Sequence, residues 1–304
     1  MEYLHSKSYT TTQKLARYFL AVELGERMQT YAELTINFEI SRGTVQKSIQ
    51  ILKDSKAIQL KTRGSLGTYL VNKDTNILLH FAGINFIVGV MPLPYAKLYE
   101  GLGTGILKTI GEHINIPVNM AYMRGAKRRI EMVLKGRYDF AIVSKYAAEH
   151  YLRENPNTID VTLNFGPLTF LKGHALIFRD EDKTEIEDGM KVGIDYDSID
   201  QAILTEKVTR NKKVTLISLN YSHFIENLKN KTIDAVLWNA HEVENEGLAY
   251  NIVLMNEGQE NTEAVLIVDK TKHELIKLFK TSIDISTVCA IQQQVVDGTI
   301  IPSY

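Results

Sequence analysis

Residues 38–53 read FEISRGTVQKSIQILK and predict a helix that begins after Ser41. Ser41 is a favourable N-cap. Three apolar residues behind it recur at the spacing of one helical face: Val45, Ile49 and Leu52. At about 100° per residue, three polar side chains project from the opposite face: Gln46, Lys47 and Gln50. The stretch is therefore an amphipathic helix with a polar outer face, and Gly43 leaves room for its backbone to approach another molecule.

The residues before this helix predict two further helices. Residues 11–25 place Leu15, Phe19 and Val22 on one face and stop near a glycine. Thr30 and Glu33 have the spacing of a capping box, which predicts a second, short helix whose Leu34 points inward. Residues 37–40 then form a tight turn.

After residue 56 the periodicity changes from helical to alternating. Ile58 and Leu60 share one face of a predicted strand, residues 64–67 form a turn, and residues 68–71 return as a second strand. Lys61 and Arg63 lie at the tip of this hairpin. A hairpin with basic side chains at its tip, placed after such a helix, is typical of a wing.

Taken alone, residues 41–53 allow two interpretations, an ordinary amphipathic surface helix or a DNA recognition helix. Two helices joined by a short turn, with the second polar outward, form a helix-turn-helix, and the hairpin supplies the wing. Charge agrees, because residues 1–72 carry a formal +4 and the remainder −5. A basic head on an acidic body favours a polyanion-binding module.

The motif SRGTVQKS at residues 41–48, followed by RGSLGTY at 63–69, resembles the winged-helix domain of GntR-type transcriptional regulators. The likeness covers about a fifth of the chain. Two positions depart from the family pattern: Ser48 stands where the family usually has alanine, and the Pro-Ser-Glu that opens the second helix is reduced to Thr30 through Glu33.

This resemblance implies that Arg42, Thr44 and Lys47 meet phosphates or base edges in the major groove, while Gly67 and Thr68 bring the wing backbone to the minor groove. A winged helix that reads a palindrome is expected to act as a homodimer on double-stranded operator DNA. The full set of predicted DNA-contacting residues is Tyr31, Ser41, Arg42, Gly43, Thr44, Gln46, Lys47, Gln50, Lys61, Arg63, Gly67 and Thr68.

Residues 73–85 are predicted to be a linker with one apolar run at 77–79. Beyond it, strands are predicted at 86–90, 117–123, 139–143, 190–194, 214–219 and 233–237. Helices are predicted at 97–113, 127–135, 198–208, 222–229 and 285–296. Strands alternating with helices favour parallel sheets with right-handed crossovers. The last helix has two candidate roles, packing on the body or pairing with a second subunit.

Two segments of the body repeat each other, LKGRYDFAIV at 134–143 and LKNKTIDAVL at 228–237. Each resembles the L-x-x-G-x-x-D-hydrophobic element of periplasmic-binding-protein-like domains, which implies two α/β lobes of type 2 with a ligand in the cleft. With the winged helix, MPLPY at 91–95 and YEGL at 99–102, the chain resembles the YhfZ family. We expect a multidomain α+β and α/β protein: a winged helix at 1–72, a linker at 73–85 and a two-lobed effector domain at 86–304.

Ligands of open α/β lobes bind beyond the carboxyl ends of strands. The residues predicted there are Met91, Pro94, Tyr95, Arg124, Ser144, Lys145, Asp195, Tyr196, Ser198, Trp238 and Asn239. Ser144 and Ser198 stand at helix starts, where a serine either binds an anionic ligand or simply caps the helix. Trp238 either walls the cleft or closes the core.

Several short segments resemble enzyme or metal-binding motifs, but none matches its motif fully. Residues 101–105 (GLGTG) lack the phosphate-loop ending and fit close helix packing. The string DYDSID at 195–200 has Asp200 where a calcium loop needs glycine. The histidines show no ligand pair, and His241 with Glu242 and Glu244 fits a solvated helix face. No cofactor or metal is expected, and the single cysteine, Cys289, cannot form an internal disulfide.

The sequence shows neither a signal peptide nor a membrane-spanning apolar run, so a cytoplasmic location is expected. The favoured function is a transcriptional regulator in which a small molecule bound to the body alters operator binding. Two alternatives are open. One is an enzyme acting in the cleft, motivated by Asp195, Asp197 and Lys145, with an autoregulatory head. The other is a body that serves only as a dimerisation platform.

Overall fold

The computed structural model describes residues 7–94, 96–239, 250–255 and 262–303. The chain divides into two compact units. The first comprises Met1–Ile87, Ile110–Val118 and Thr271–Ile283, and the second Val88–Thr109, Asn119–Lys270 and Asp284–Tyr304. Each unit combines segments that are distant in sequence, so these units do not test the predicted domain bounds. The division into 1–72, 73–85 and 86–304 stays a prediction.

The first unit opens with three helices, α1 (Lys7–Ala21), α2 (Tyr31–Phe38) and α3 (Arg42–Asp54). The capping box at the start of α2 is present: the Thr30 hydroxyl accepts from the Glu33 amide, and the Glu33 carboxylate accepts from the Thr30 amide. Ser41 caps α3, and the predicted apolar face of α3 is fully buried. Helix α1 begins at Lys7, four residues before the start at residue 11 that the sequence predicts.

The predicted wing is present as strands β1 (Ile58–Thr62) and β2 (Thr68–Lys73), paired antiparallel with Thr62 opposite Thr68. A 3-10 turn, Gly64–Leu66, joins them. Gly64 and Gly67 both have positive φ, at 56° and 98°, which explains why glycine stands at both corners of the turn.

The segment predicted as a linker holds a helix, α4 (Thr75–Phe81), whose N-cap Asp74 accepts from the Ile77 amide. Leu78 and Leu79 are fully buried, so residues 75–81 are part of the packed unit. A later helix, α10 (His273–Ser282), also belongs to this unit; its Glu274 pairs with Arg17 of α1 at 3.1 Å.

Lys73, at the end of the wing, closes the C-terminus of α1. Its ammonium donates to the main-chain oxygens of Phe19, Leu20 and Val22 at 3.1, 2.8 and 2.6 Å. Three unpaired carbonyls of the helix end are thereby satisfied. Burial lowers the pKa of Lys73 to about 8, with a further contribution from Lys277.

The second unit contains two five-stranded sheets. The strands of the first are β3 (Ile87–Met91), β4 (Val118–Tyr122), β5 (Phe140–Ser144), β6 (Ile159–Asn164) and β12 (Ala264–Asp269), in the order β4-β3-β5-β12-β6. The strands of the second are β7 (His174–Phe178), β8 (Lys191–Ile194), β9 (Thr215–Ser218), β10 (Ala235–Asn239) and β11 (Asn251–Leu254), in the order β11-β7-β10-β8-β9.

Both sheets are mixed, which corrects the prediction of parallel sheets. Strand β12 runs antiparallel to β5 and β6, and β7 runs antiparallel to β10 and β11. Strand β7 of the second sheet comes directly after β6 of the first sheet in the chain, and β12 of the first sheet comes directly after β11 of the second. The chain therefore crosses between the lobes twice, a pairing that local periodicity does not encode.

The remaining helices are α5 (Lys97–His113), α6 (Ala126–Leu134), α7 (Lys145–Glu154), α8 (Ile199–Thr209), α9 (Phe224–Lys229) and α11 (Ile285–Val296). The GLGTG string lies in α5 and packs closely, as predicted. A Cβ at Gly101 would lie 2.7 Å from the Gln292 carbonyl oxygen, and one at Gly105 would lie 2.8 Å from that of Val288. Helix α11 thus packs on the body. No helix among the described residues is long and apolar enough to span a membrane.

Candidate functional site

The outer face of α3 presents the polar side chains that the sequence placed there. Arg42, Gln46 and Lys47 are exposed, and Gly43 at the first turn has no neighbour that an added Cβ would meet. Ser41 and Thr44 are partly engaged, because their hydroxyls lie 2.8 Å apart and Ser41 caps the helix. The Gln50 amide donates to Asp54 at 2.6 Å. Two exposed cations, Arg42 and Lys47, thus lie in the first two turns of α3, and the amides at this end of the helix also favour anions.

Ser48 has a structural explanation. It is fully buried, and its hydroxyl donates to the main-chain oxygen of Ser8 in α1 at 3.4 Å. This departure from the GntR-type pattern therefore lies on the inner face of α3 and leaves the polar outer face unchanged.

Three exposed cations lie in or against the wing, namely Lys61, Arg63 and Arg27. Lys61 is exposed, and the guanidinium of Arg63 stacks over the Tyr69 ring at 4.5 Å. The sequence did not place Arg27 at the site. Its main chain forms an isolated antiparallel β-bridge with Tyr69. Its side chain lies against Gly67, where an added Cβ would come within 2.8 Å of the Arg27 Nε. Gly67 and Thr68 are half-buried beside it, and Tyr31 is half-exposed in the first turn of α2. Arg27 precedes α2 in sequence, so no local pattern ties it to the hairpin.

In the second unit, a cleft of about 730 Å³, measured out to its open mouth, lies at the carboxyl ends of strands from both sheets. Its lining is made of Pro92, Leu93, Tyr99, Arg124, Gly125, Ala126, Arg129, Phe170, Leu171, His174, Asp195, Ser198, Ile199, Asp200, Gln201, Tyr221, Leu237, Trp238 and Asn239.

Ion pairs join the two lobes beside the cleft. Arg124 donates to Asp195 at 2.8 Å, and Asp195 also accepts from the amides of Asp197 and Tyr221. Arg128 pairs with Asp197 at 2.8 Å, and both of these side chains are largely exposed. The Asp195 carboxylate thus accepts three hydrogen bonds, and the residue is 5% exposed.

A buried polar group forms the floor of the cleft. The Ser144 hydroxyl caps α7 and donates to Asp200 at 2.5 Å, across the lobes. Arg129 donates to the main-chain oxygens of Ile142 and Met123. Burial raises the pKa of Asp200 to about 6, against the lowering effects of Ser144 and Arg129. Burial also lowers the pKa of Arg129 to about 10, which leaves this side chain charged at neutral pH.

Aromatic rings form the walls. Tyr99 and Phe170 meet edge to face at 5.4 Å between centroids, and Tyr221 and Trp238 meet in the same way at 5.6 Å. All four line the cleft. The cavity therefore combines a charged floor with apolar, aromatic sides, which is the usual character of a small-molecule site.

The predicted cleft residues fall into three groups. Arg124, Asp195, Ser198, Trp238 and Asn239 line the cleft. Met91, Pro94, Ser144, Lys145 and Tyr196 lie outside its lining: Ser144 is the N-cap of α7, Lys145 pairs with Glu263 at 3.1 Å, and Tyr196 is exposed. Tyr95 lies outside the described residues, as do His241, Glu242 and Glu244.

Sequence reasoning missed the rest of the lining, in particular Tyr99, Arg129, Phe170, Asp200 and Tyr221. All five lie within helices, in a turn or in the crossing stretch, where the rule on strand ends does not point. Asp200 and Arg129 carried a signal, because each is a charged residue among positions that the helical period assigns to a buried face.

Within the described ranges, no group of three or more histidine, cysteine, aspartate or glutamate side chains is placed to hold a metal ion. The Cys289 thiol donates to the Phe165 main-chain oxygen, and burial raises the pKa of that thiol. A thiol with a raised pKa is poorly suited to nucleophilic chemistry.

A helix-turn-helix head followed by a periplasmic-binding-protein-like body suggests a DNA-binding regulator. Comparison with known families agrees. Residues 23–70 match a helix-turn-helix domain model, and residues 74–304 match the YhfZ C-terminal domain. The protein YhfZ of Escherichia coli (strain K12) is 35% identical over 295 residues, which are 95% of each chain. The chain belongs to the YhfZ family.

Solved structures support the same fold. YhfZ from Shigella flexneri superposes with a TM-score of 0.63 at 35% identity and covers 75% of this chain and 97% of its own. An ancestral arginine-binding protein bound to arginine gives 0.51 at 16% identity, covering 70% and 97%. The aliphatic sulphonate binding protein SsuA from Escherichia coli gives 0.53 at 10% identity, covering 71% and 75%. At such low identity the last two show the fold alone.

Proposed function

We propose that this protein is a ligand-responsive transcriptional regulator whose winged helix binds operator DNA as a homodimer and whose cleft binds a small-molecule effector. The observation that carries the DNA part is the exposed cationic end of α3 beside a wing with Lys61, Arg63 and Arg27. Arg42 and Lys47 are candidates for phosphate and base-edge contacts in the major groove, as in GntR-type winged helices.

The effector part rests on the cleft. It opens between two lobes that are joined by Arg124–Asp195 and Ser144–Asp200, so a ligand that contacts both lobes favours one arrangement of them. A ligand with different affinities for two lobe arrangements shifts the population of each, and the operator affinity of the dimer changes with it.

The DNA assignment is tested by fluorescence anisotropy with duplex DNA from the promoter of the protein's own operon. The variant Arg42→Ala with Lys47→Ala is expected to lose roughly 100-fold in affinity and to show a shallower salt dependence. The matched control is Lys135→Ala with Arg137→Ala, which removes the same charge from exposed positions of the body. Equal losses in both variants would show that net charge, not the recognition helix, governs binding.

An enzyme in the cleft has less support. Asp195 accepts three donors, Asp197 pairs with Arg128, and Lys145 pairs with Glu263, so the three residues that motivated it are already engaged. A stoichiometric complex whose ligand is recovered unchanged after incubation supports the regulator. Turnover of the bound molecule would favour the enzyme.

A further inference from the structure

One atom of the cleft floor lacks a partner. Asp200 is 9% exposed and its Oδ2 accepts from Ser144, but its buried Oδ1 has no hydrogen-bond partner among the described residues. A buried carboxylate oxygen without a donor is costly, since desolvation is not offset by a bond. Asp200 lines the cleft, so a bound ligand can supply that donor.

The cationic side chains of the cleft lining, in contrast, already have hydrogen-bond partners in the protein. Arg124 is paired with Asp195 at 2.8 Å, and Arg129 donates to two main-chain oxygens. Their charges are also matched by those of Asp195 and Asp200. The lining of the cleft therefore contains a buried, unsatisfied hydrogen-bond acceptor, whereas its cationic donors are engaged with groups of the protein.

The walls fit the same kind of ligand. Tyr99, Phe170, Tyr221 and Trp238 line the same cleft as Asp200, and aromatic faces attract organic cations while packing against apolar carbon. A neutral hydroxyl would satisfy the Asp200 oxygen with a weaker bond than an ammonium, because hydrogen bonds between ionised groups are roughly twice as strong.

We propose that the effector is a small organic amine whose ammonium donates to Asp200 and whose apolar or aromatic body packs against the ring walls of the cleft. This inference rests on the proposed effector function of the same site. Asp200 selects the ligand through its negative charge and through the oxygen that lacks a hydrogen-bond donor, and the hydrogen bond from Ser144 holds the carboxylate in position.

The test uses the full-length protein and three probes of similar size: 2-phenylethylamine, 2-phenylethanol and 3-phenylpropionate. Isothermal titration calorimetry at pH 8 is expected to show the amine binding roughly 10-fold or more tightly than the alcohol, and the carboxylate weakest. An alcohol equal to the amine, or a carboxylate that binds tightest, overturns the proposal. Since this comparison uses the native protein, it does not depend on any variant folding.

A pair of variants then locates the site. Asp200→Asn keeps an oxygen for Ser144 and is expected to lose roughly 10-fold in amine affinity while alcohol affinity stays within about 2-fold. Asp197→Asn is the matched control, because it removes the same charge three residues away, at a half-exposed carboxylate outside the cleft lining. Equal losses in both variants overturn the assignment to Asp200.

The outcomes separate the two proposals. Tight binding of the carboxylate would reject the amine but keep the cleft as an effector site. Failure of all three probes, with intact promoter binding, would reject the amine effector while the DNA-binding function stands.

Discussion

The two candidate sites of this protein are built in opposite ways. The head surface comes mainly from one helix and one hairpin within residues 41–68, with Arg27 added from the preceding stretch, and its cations are exposed. The cleft collects residues between 92 and 239, and its charged groups are nearly all buried and paired. An exposed site acts through long-range charge, whereas a buried site acts through desolvation and directed hydrogen bonds.

Salt should separate the sites most strongly. Raising KCl from 50 to 200 mM is expected to weaken DNA binding roughly 1,000-fold, as for a protein that makes about six phosphate contacts. Amine binding in the cleft should change by less than about 3-fold, because buried pairs are screened little. Anisotropy and calorimetry in the same buffers give both numbers. Equal salt slopes would remove the distinction between the two sites.

The second experiment tests the cost of burying Asp200. Its folded pKa, about 6, lies above the ordinary aspartate pKa of 3.8, so the folded state binds the proton more tightly and stability falls as pH rises through this window. The ionised carboxylate then costs about 3 kcal/mol above pH 6. Asp200→Asn should therefore raise the free energy of unfolding at pH 8, and by less at pH 5.

Two neighbouring groups also act on this carboxyl, because the hydrogen bond from the Ser144 hydroxyl and the charge of Arg129 both lower its pKa. Urea unfolding at both pH values measures the difference. Asp197→Asn, at an exposed pair, should show almost none of it. A pH-independent gain in Asp200→Asn would contradict the raised pKa.

The third experiment tests whether the body depends on close backbone packing that the head surface does not need. Gly105→Ala forces a Cβ to within 2.8 Å of the Val288 carbonyl oxygen and should destabilise the protein by about 2 kcal/mol. Gly111→Ala in the same helix meets no atom within 4 Å and should stabilise it by about 0.5 kcal/mol. Thermal unfolding of the pair gives the comparison, and a stable Gly105→Ala protein would contradict the packing of α5 on α11.

The smallest effect is expected in the turn of the head. Glu39 ends α2 in the left-handed region, with φ 55°, and a glycine there should stabilise the protein by about 0.5–1 kcal/mol. Asn, which tolerates this region better than Glu, should fall in between. DNA affinity should not decrease, because an acidic side chain near the recognition helix is lost. A decrease would show that Glu39 itself takes part in binding.

The head could be predicted almost completely from its residues. The capping box at Thr30, the N-cap Ser41 and the hairpin with glycines at 64 and 67 are local signals, and each acts within a few residues of where it stands. The sequence does not point to Arg27, because this residue reaches the wing by tertiary contact. It predicts a linker where α4 lies, because the apolar run there is too short to show a helical period.

The cleft could be predicted only in part. Strand ends pointed to Arg124, Asp195 and Trp238, which line it. They did not point to Arg129, Asp200 or Phe170, which reach the cleft from helices and from the stretch between the lobes.

By itself, the sequence determined the helix-turn-helix, the wing and the repeated α/β lobes, because helix caps, turn glycines and hydrophobic periods depend on neighbours a few residues apart. The tertiary structure alone decided the antiparallel strands β7 and β12 and the floor of the cleft. Ser144 and Asp200 are 56 residues apart and meet only when both lobes are folded, so the environment that raises the pKa of Asp200 does not exist in any local segment.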